Sequence, residues 1–542
     1  MITPRVARAA LGLILLVALG WRLINIGFGL PGMYDPDEPM FMITALKMLS
    51  EGTLNPGWFG HPGTTTITLV AAIDAAVAST GLLLGHYANI ADFARAAYAD
   101  PAMLFVPART AMALIGTACV WLTYALGNRL HGRATGLIAA ALLAVNASHI
   151  AWSQVIRTDI TASAFMLASL LFAVRLADRG RLRDALLAGA FAGFATVTKW
   201  PAATVFIAII GAAIYARLQR GSADRPLRFI LAAAAACLVA MFIASPFIFL
   251  DWPTMLANVT GEISPGHLGH NSRGFLANLY FYSVDQIGGS MGIVGLGLVI
   301  GGVAVSAIRN PIARWTLLPA AGLFLALICT QNAFFSRWLM PLMPMACIFA
   351  GCALAAVGQG VARSLGGAKR AVALAALGLL VAVPSLAAAI AATTERANDT
   401  RTLAANWART YIPPDSRVVF EHLELNLRDQ PWTILFPIGD AGCIDGKKAL
   451  SEGVSYDKVQ QARGSSPIVD LGNVSPARLD TCRADYAILA YYDLYLVEAA
   501  RYPAELATYR ALLAGGRTVA IFRPVSGKIG GPVVHILALP SR

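Results

Sequence analysis

The chain has 542 residues, of which 57% are hydrophobic and only 13% charged, and its mean hydropathy is +0.63. Soluble domains carry about 25% charged residues, so the composition excludes a soluble protein and indicates an integral membrane protein. The net charge of +12 does not point to nucleic acid: the Lys and Arg residues form no patch with interleaved aromatics, but fall in short clusters between hydrophobic runs, as the positive-inside rule describes.

A membrane span needs roughly 20 apolar residues, and such runs recur from residue 7 to about residue 392. The first, residues 7–28, follows Arg5 and Arg8, which place the N-terminus in the cytoplasm. It is too long for a signal peptide and lacks a small-residue cleavage site, so it reads as a retained anchor. Just beyond it comes Tyr34-Asp35-Pro36-Asp37-Glu38, three carboxylates in a protein otherwise poor in acid. Charge is costly where a chain leaves the bilayer, which makes this stretch the candidate reactive centre. Residues 39–51 then oppose Phe41, Ala45, Leu46 and Leu49 to Lys47 and Glu51, the pattern of an interfacial helix.

His61-Pro62-Gly63 precedes the apolar run 64–85, which carries Asp74 at its middle. A full crossing here would put Arg129 and Arg133, and every later basic cluster, on the wrong face. The run is therefore assigned to a re-entrant or membrane-surface helix on the outer side. Spans follow at about 106–127, 134–152, 160–177, 184–199, 201–216, 227–249, 285–307, 315–331, 339–361 and 371–392. With the first span this gives about eleven crossings, an odd number that places the C-terminal part outside. Outer loops are then 29–105, 153–159, 250–284 and 332–338. No internal repeat of transporter type is visible between the halves.

Residues 1–394 thus form a polytopic α-helical membrane domain, and residues 395–542 read as a soluble, extracytoplasmic α/β domain. Its β-rich runs are Ser416 to Phe420, Tyr486 to Ala490, Thr518 to Phe522 and Val533 to Leu537, and its helical runs are 397–410 and 496–513. Of seven cysteines, five lie in or beside hydrophobic segments. Cys443 and Cys482 are an isolated pair in the soluble part, able to form a disulfide if that part faces an oxidising compartment. No cysteine spacing suits a metal, and His267-x-x-His270 lacks a third ligand, so loop 250–284 reads as a flexible substrate-gating loop.

The outer face gathers Asp35, Asp37, Glu38, His61, Arg109, Arg157, Asp159, Lys199 and Arg337 at span ends and in short loops. Acids and bases at one membrane surface suit a reaction on a lipid-linked phosphate, with cations holding the phosphate and a carboxylate taking a proton. Each residue has a plainer alternative. Asp37 and Glu38 would also serve the N-terminus of the helix that begins at Pro39, and Asp35 a turn before Pro36. His61 would shape the loop ahead of its proline. Arg109 would pair with Asp37 or Asp159, Arg157 and Asp159 would anchor the interface, and Lys199 and Arg337 would snorkel. Arg22, in the outer part of the first span, is a weaker candidate, and Asp74 reads as structural or cavity-facing.

The acidic pair followed by an interfacial helix and His61-Pro62-Gly63 resembles the first outer loop of the protein O-mannosyltransferase and lipid A aminoarabinose transferase superfamily, within the GT-C glycosyltransferases. The likeness continues through Ala108-Arg109-Thr110, Gly127 to Arg133 and Ser153 to Asp159. Gly193 to Lys199 and Arg337 to Pro344 extend it. It covers most of residues 7–350 and lies in order and spacing. The resemblance implies a GT-C-like fold and a multi-pass protein of the cell inner membrane with a periplasmic active site. It implies a mannosyltransferase-like hexosyl or pentosyl transferase that uses a polyprenyl-phosphate sugar and inverts configuration. The acceptor would be a lipid, glycan or protein hydroxyl, with Asp37 as base and no nucleotide sugar or nucleic acid. By position Glu38, His61, Arg109, Arg157, Asp159, Lys199 and Arg337 would bind substrate. No cofactor is certain, and divalent-metal use stays open because relatives differ. The chain departs from the family pattern in Asp35, in prolines 36 and 39, and in Gly63, where a second proline is common. The rival class is a transporter or flippase of lipid-linked sugar, which would place its charges near mid-bilayer.

Overall fold

The computed structural model describes residues 3–60, 62–220, 226–261, 267–421, 425–451, 461–462 and 469–540. His61 and Arg225 lie outside the described residues. The chain divides into two compact units, one comprising residues 1–27, 35–266 and 270–390, the other residues 28–34, 267–269 and 391–542.

The first unit is a helical bundle. Among the described residues ten helices are long and apolar enough to cross a membrane, from Pro4–Leu23 to Ala375–Ala397, so the protein is a multi-pass membrane protein. The set differs from the sequence expectation in three places. Residues 134–152, expected as one span, break into Arg133–Ala144 and Ala147–Trp152, because the Asn146 side chain accepts from the His149 N–H and starts a new helix. The expected span 184–199 appears as the 17-residue helix Leu182–Thr198. Thr64–Leu83, assigned to a re-entrant or membrane-surface helix, is a continuous 20-residue helix and one of the ten by length and composition. Loop 250–284 also holds the helices Trp252–Gly261 and Phe275–Tyr280, so part of it is ordered structure rather than loop.

The bundle packs through small residues. A Cβ placed on Gly189 would stand 2.1 Å from the Ala233 carbonyl oxygen, so helices Leu182–Thr198 and Pro226–Ala244 meet backbone to backbone. Such close approach is how helices associate where lipid removes the hydrophobic drive between them. The helix expected after the acidic stretch forms as Glu38–Glu51; it buries Phe41, Met42, Ala45 and Met48, whereas Leu46 and Leu49 of the expected apolar face are exposed.

Among its described residues the second unit contains a six-stranded mixed sheet. Its strands are β1 (Arg417–Phe420), β2 (Thr433–Ile438), β3 (Gly442–Asp445), β4 (Tyr486–Leu489), β5 (Arg517–Phe522) and β6 (Val534–Ala538), in the order β3-β2-β1-β4-β6-β5. β1 runs parallel to β2 and β4, and the other pairs are antiparallel. β2 and β3 were not expected from the sequence. β2 contains Pro437, which cannot donate to a ladder, and β3 has only four residues. Helix Thr400–Tyr411 contributes to one hydrophobic core against the sheet, and Tyr492–Val497 and Pro503–Leu512 to another. Residues 28–34 belong to this unit: Arg401 donates to the Tyr34 carbonyl at 3.0 Å and lies 4.0 Å over its ring.

Cys443 and Cys482 are disulfide-bonded, 39 residues apart in sequence. A loop of that length restricts the unfolded chain by about 4 kcal/mol in the chain-entropy model. The Cys443→Ser, Cys482→Ser variant is therefore expected to unfold at markedly lower denaturant concentration in this unit, followed by tryptophan fluorescence. An unchanged midpoint would show that the bridge contributes nothing.

Among the acids buried in this unit are Glu421 and Asp470. Glu421 accepts from the Ala490 and Tyr491 N–H groups at 2.7 and 2.9 Å and from the Tyr509 hydroxyl, while Asp470 accepts from the Tyr495 hydroxyl at 2.6 Å. Burial, reinforced by Asp470, pushes the Glu421 carboxyl up to about 7. The folded unit therefore holds a proton that the unfolded chain has released above about pH 4.5. Stability from this group should fall as pH rises from about 4.5 to 7, by roughly 3 kcal/mol, and then level off. Glu421→Gln should flatten that slope in denaturation curves across the range, and an identical slope in the variant would contradict the assignment.

Candidate active site

The acidic stretch folds on itself first. The Asp35 carboxylate accepts from the Asp37 N–H at 3.0 Å, closing a turn around Pro36, and Glu38 and Pro39 open the helix Glu38–Glu51. Asp37 occupies the cap position of that helix, yet its side chain makes no capping hydrogen bond. It turns instead to the cations, accepting from Nη1 of Arg157 and lying 3.7 Å from Nη2 of Arg337. Its side chain is 33% exposed, the most open carboxylate of the cluster.

Arg157 stands in extended backbone at the cap of helix Thr158–Arg179. Its fork grips Asp35, with Nε at 3.1 Å from both carboxylate oxygens and Nη2 at 2.7 Å from Oδ1. Burial alone would lower the Arg157 pKa, but Asp35 and Asp37 outweigh it and hold the guanidinium above its ordinary value.

Two residues on, Asp159 sits in the first turn of the same helix, where the helix dipole favours an anion. It accepts from Lys199 Nζ, and both side chains are buried. Lys199 is the C-cap of helix Leu182–Thr198, where the dipole favours a cation. The expected break at Lys199-Trp200-Pro201 is a tight helical turn, Trp200–Val205. Arg337 lies in another such turn, Ser336–Leu339. Burial and neighbouring Arg157 lower its pKa, with Asp159, Asp37 and Asp35 acting against them.

The structure thus brings together Asp35, Asp37, Asp159, Arg157, Lys199 and Arg337, three acids and three bases, from four separate parts of the chain. Gly63 ties the second motif to the same place. Its N–H donates to the Thr198 carbonyl, one residue before Lys199, at 3.2 Å. Its φ of +67° and the Phe41 ring 3.1 Å from any added Cβ explain why glycine stands there.

Glu38 and Arg109 do not join the open cluster. Both are fully buried and face each other, Nε to Oε1 at 2.9 Å and Nη2 to Oε2 at 2.6 Å, and Glu38 also accepts from the Ile156 N–H at 2.8 Å. Arg109 was expected to bind substrate or to pair with Asp37 or Asp159; its carboxylate partner is Glu38. The pair braces the acidic turn against helix Ala102–His131 and against the residue before Arg157. Arg22 is likewise internal, donating to the Ala18, Leu143 and Ala144 carbonyls at 2.8–3.2 Å. Asp74 is buried, and neither of its carboxylate oxygens has a hydrogen-bond partner among the described residues.

Sequence reasoning missed Phe335, whose ring lies 4.0 Å from the Arg337 guanidinium, and Tyr282, fully buried within electrostatic reach of Arg337 and Asp159. The aromatic pair Phe334-Phe335 just before Arg337 was the available signal for the first. Among the described residues no group of three His, Cys, Asp or Glu side chains is placed to hold a metal ion.

The fold of helical bundle plus small mixed-sheet domain is that of the GT-C glycosyltransferases. Residues 103–249 match the family model of the dolichyl-phosphate-mannose-protein mannosyltransferases. The chain is similar to ArnT from Cupriavidus metallidurans in the apo state, with a TM-score of 0.52, 14% identity, and 99% of this chain and 100% of that one covered. The same protein bound to undecaprenyl phosphate gives a TM-score of 0.50, 15% identity, and coverage of 98% and 99%. The apo oligosaccharyltransferase of Archaeoglobus fulgidus gives 0.51, 11%, and coverage of 92% and 72%. A comparison with curated protein sequences finds no match.

Proposed function

We propose that this protein is an inverting glycosyltransferase of the inner membrane that moves a hexose or pentose from a polyprenyl-phosphate donor to an acceptor hydroxyl on the outer face. The observation that carries the reading is the half-open Asp37 carboxylate set between Arg157 and Arg337 with the Lys199–Asp159 pair in the same cluster. The family match over residues 103–249 and the undecaprenyl phosphate bound to a protein of the same fold support the choice of donor.

In the free enzyme the lone pairs of Asp37 are engaged by Arg157 and faced by Arg337. A phosphate entering the cluster competes for those guanidiniums and frees the carboxylate to accept a proton. The acceptor oxygen, losing its proton to Asp37, then bonds to the anomeric carbon as the bond from that carbon to the phosphate oxygen breaks, and polyprenyl phosphate leaves.

The donor's phosphodiester carries one negative charge and the departing phosphate monoester up to two. Arg157, Arg337 and Lys199 therefore attract the leaving group more strongly as the reaction advances, which is what lowers a barrier. No general acid is required for such a leaving group. Glu38 and Arg109 hold the acidic turn in place, and the site and C-terminal unit face the periplasm in this reading.

The test is transfer of labelled sugar by the purified protein in lipid, over a panel of polyprenyl-phosphate sugars and hydroxyl acceptors. Transfer from one donor class is the expected result; failure with every donor, alongside movement of lipid-linked sugar between leaflets, would replace the reading with a flippase.

A further inference from the structure

Arg337 differs from the other two cations of the site. Arg157 is bonded to two carboxylates and Lys199 to one, whereas among the described residues the Arg337 side chain makes no hydrogen bond. Its carboxylate contact, Asp37, is at 3.7 Å, beyond hydrogen-bond reach. What fixes its plane is a ring: the guanidinium carbon lies 4.0 Å from the Phe335 centroid.

That ring is itself held. The His270 imidazole packs on Phe335 with centroids 4.3 Å apart and planes 35° apart, and the Trp338 ring stands 5.1 Å away. His270 is placed by a short antiparallel ladder. The Phe334 N–H donates to the His270 carbonyl at 3.0 Å, the Ser272 N–H to the Asn332 carbonyl at 2.9 Å, and Asn271 pairs with Ala333. Buried Asn278 locks the ladder, donating to the Cys329 and Gln331 carbonyls at 3.0 Å and accepting from Ser272 Oγ at 3.0 Å.

We infer that Phe335 and His270 are positioning residues that hold the Arg337 guanidinium, otherwise unbonded, ready for the phosphate of the lipid-linked donor. The inference rests on the proposed donor reading and adds to it the device that keeps one cation available. A guanidinium stacked on a ring keeps its N–H edge free, and a ring buttressed by an imidazole loses little entropy when the phosphate arrives. Two residues from distant parts of the sequence thereby set how well a phosphate is bound without touching it.

The experiment uses the full chain in lipid nanodiscs and two probes, undecaprenyl phosphate and undecaprenol, which shares the chain but lacks the phosphate. Arg337→Gln should weaken undecaprenyl phosphate more than about ten-fold. Phe335→Leu should weaken it roughly five- to ten-fold, Phe335→Trp should recover most of the loss, and undecaprenol should bind all of them alike. In the Arg337→Gln background Phe335→Leu should have less than about a two-fold further effect. His270→Leu should act like a milder Phe335→Leu and carries the same cycle if Phe335→Leu does not fold.

Fully additive losses, or equal weakening of both lipids, would overturn the positioning role while a strong Arg337→Gln effect left the donor reading intact. Normal binding of undecaprenyl phosphate by Arg337→Gln would remove that reading, and the inference with it.

Discussion

Asp37→Asn is expected to lower sugar transfer by about 10²–10⁴-fold, the usual contribution of a positioned general base, while donor binding stays within a few-fold of wild type. The substitution keeps size and shape and removes the ability to take a proton. It should fold, because Arg157 retains its two-pronged grip on Asp35 and the Glu38–Arg109 pair is untouched. Donor binding should persist or tighten slightly, since a neutral amide at this position would compete less with the phosphate for Arg157 and Arg337. Measured kcat and KM for labelled donor, with undecaprenyl phosphate binding as a separate readout, separate the two effects. Equal transfer by variant and wild type would remove Asp37 from the mechanism and move attention to Asp35, held by Arg157, and Asp159, held by Lys199.

Arg109→Ala is expected to destabilise the helical unit by about 3–5 kcal/mol, because it leaves Glu38 charged, fully buried and without its cation. Glu38→Gln should cost less, since an amide keeps one acceptor for the Ile156 N–H. The double variant Glu38→Gln, Arg109→Met should recover much of the loss. Thermal unfolding of the purified protein in nanodiscs reads these differences. Normal stability of Glu38→Gln together with weakened undecaprenyl phosphate binding would instead make Glu38 a direct substrate ligand, as its position beside Asp37 first suggests.

The contrast between Asp37 and Glu38 shows what adjacency in sequence leaves open. Both are acids at the start of one helix, and neighbouring helical residues point about 100° apart. One side chain therefore enters the open cluster and the other the packed interior. Which goes where depends on Arg109 and Arg157, each brought in by a different helix.

The sequence by itself determined the class of protein. Apolar runs of spanning length, basic clusters between them and a polar C-terminal part follow from local composition, because each span must satisfy its own backbone in lipid. The break at Lys199-Trp200-Pro201, the helix from Glu38 and four of six strands were legible for the same reason: proline, capping residues and periodicity act over a few residues. Only the tertiary structure decided the pairings. That Lys199 meets Asp159, that Arg157 holds Asp35 and Asp37, and that His270 reaches Phe335 depend on how helices distant in sequence are docked. Strands β2 and β3 were missed for a related reason: a proline-containing strand and a four-residue one exist only because neighbours pair with them. A buried charge is tolerated only beside its partner, and that partner is a property of the packed bundle.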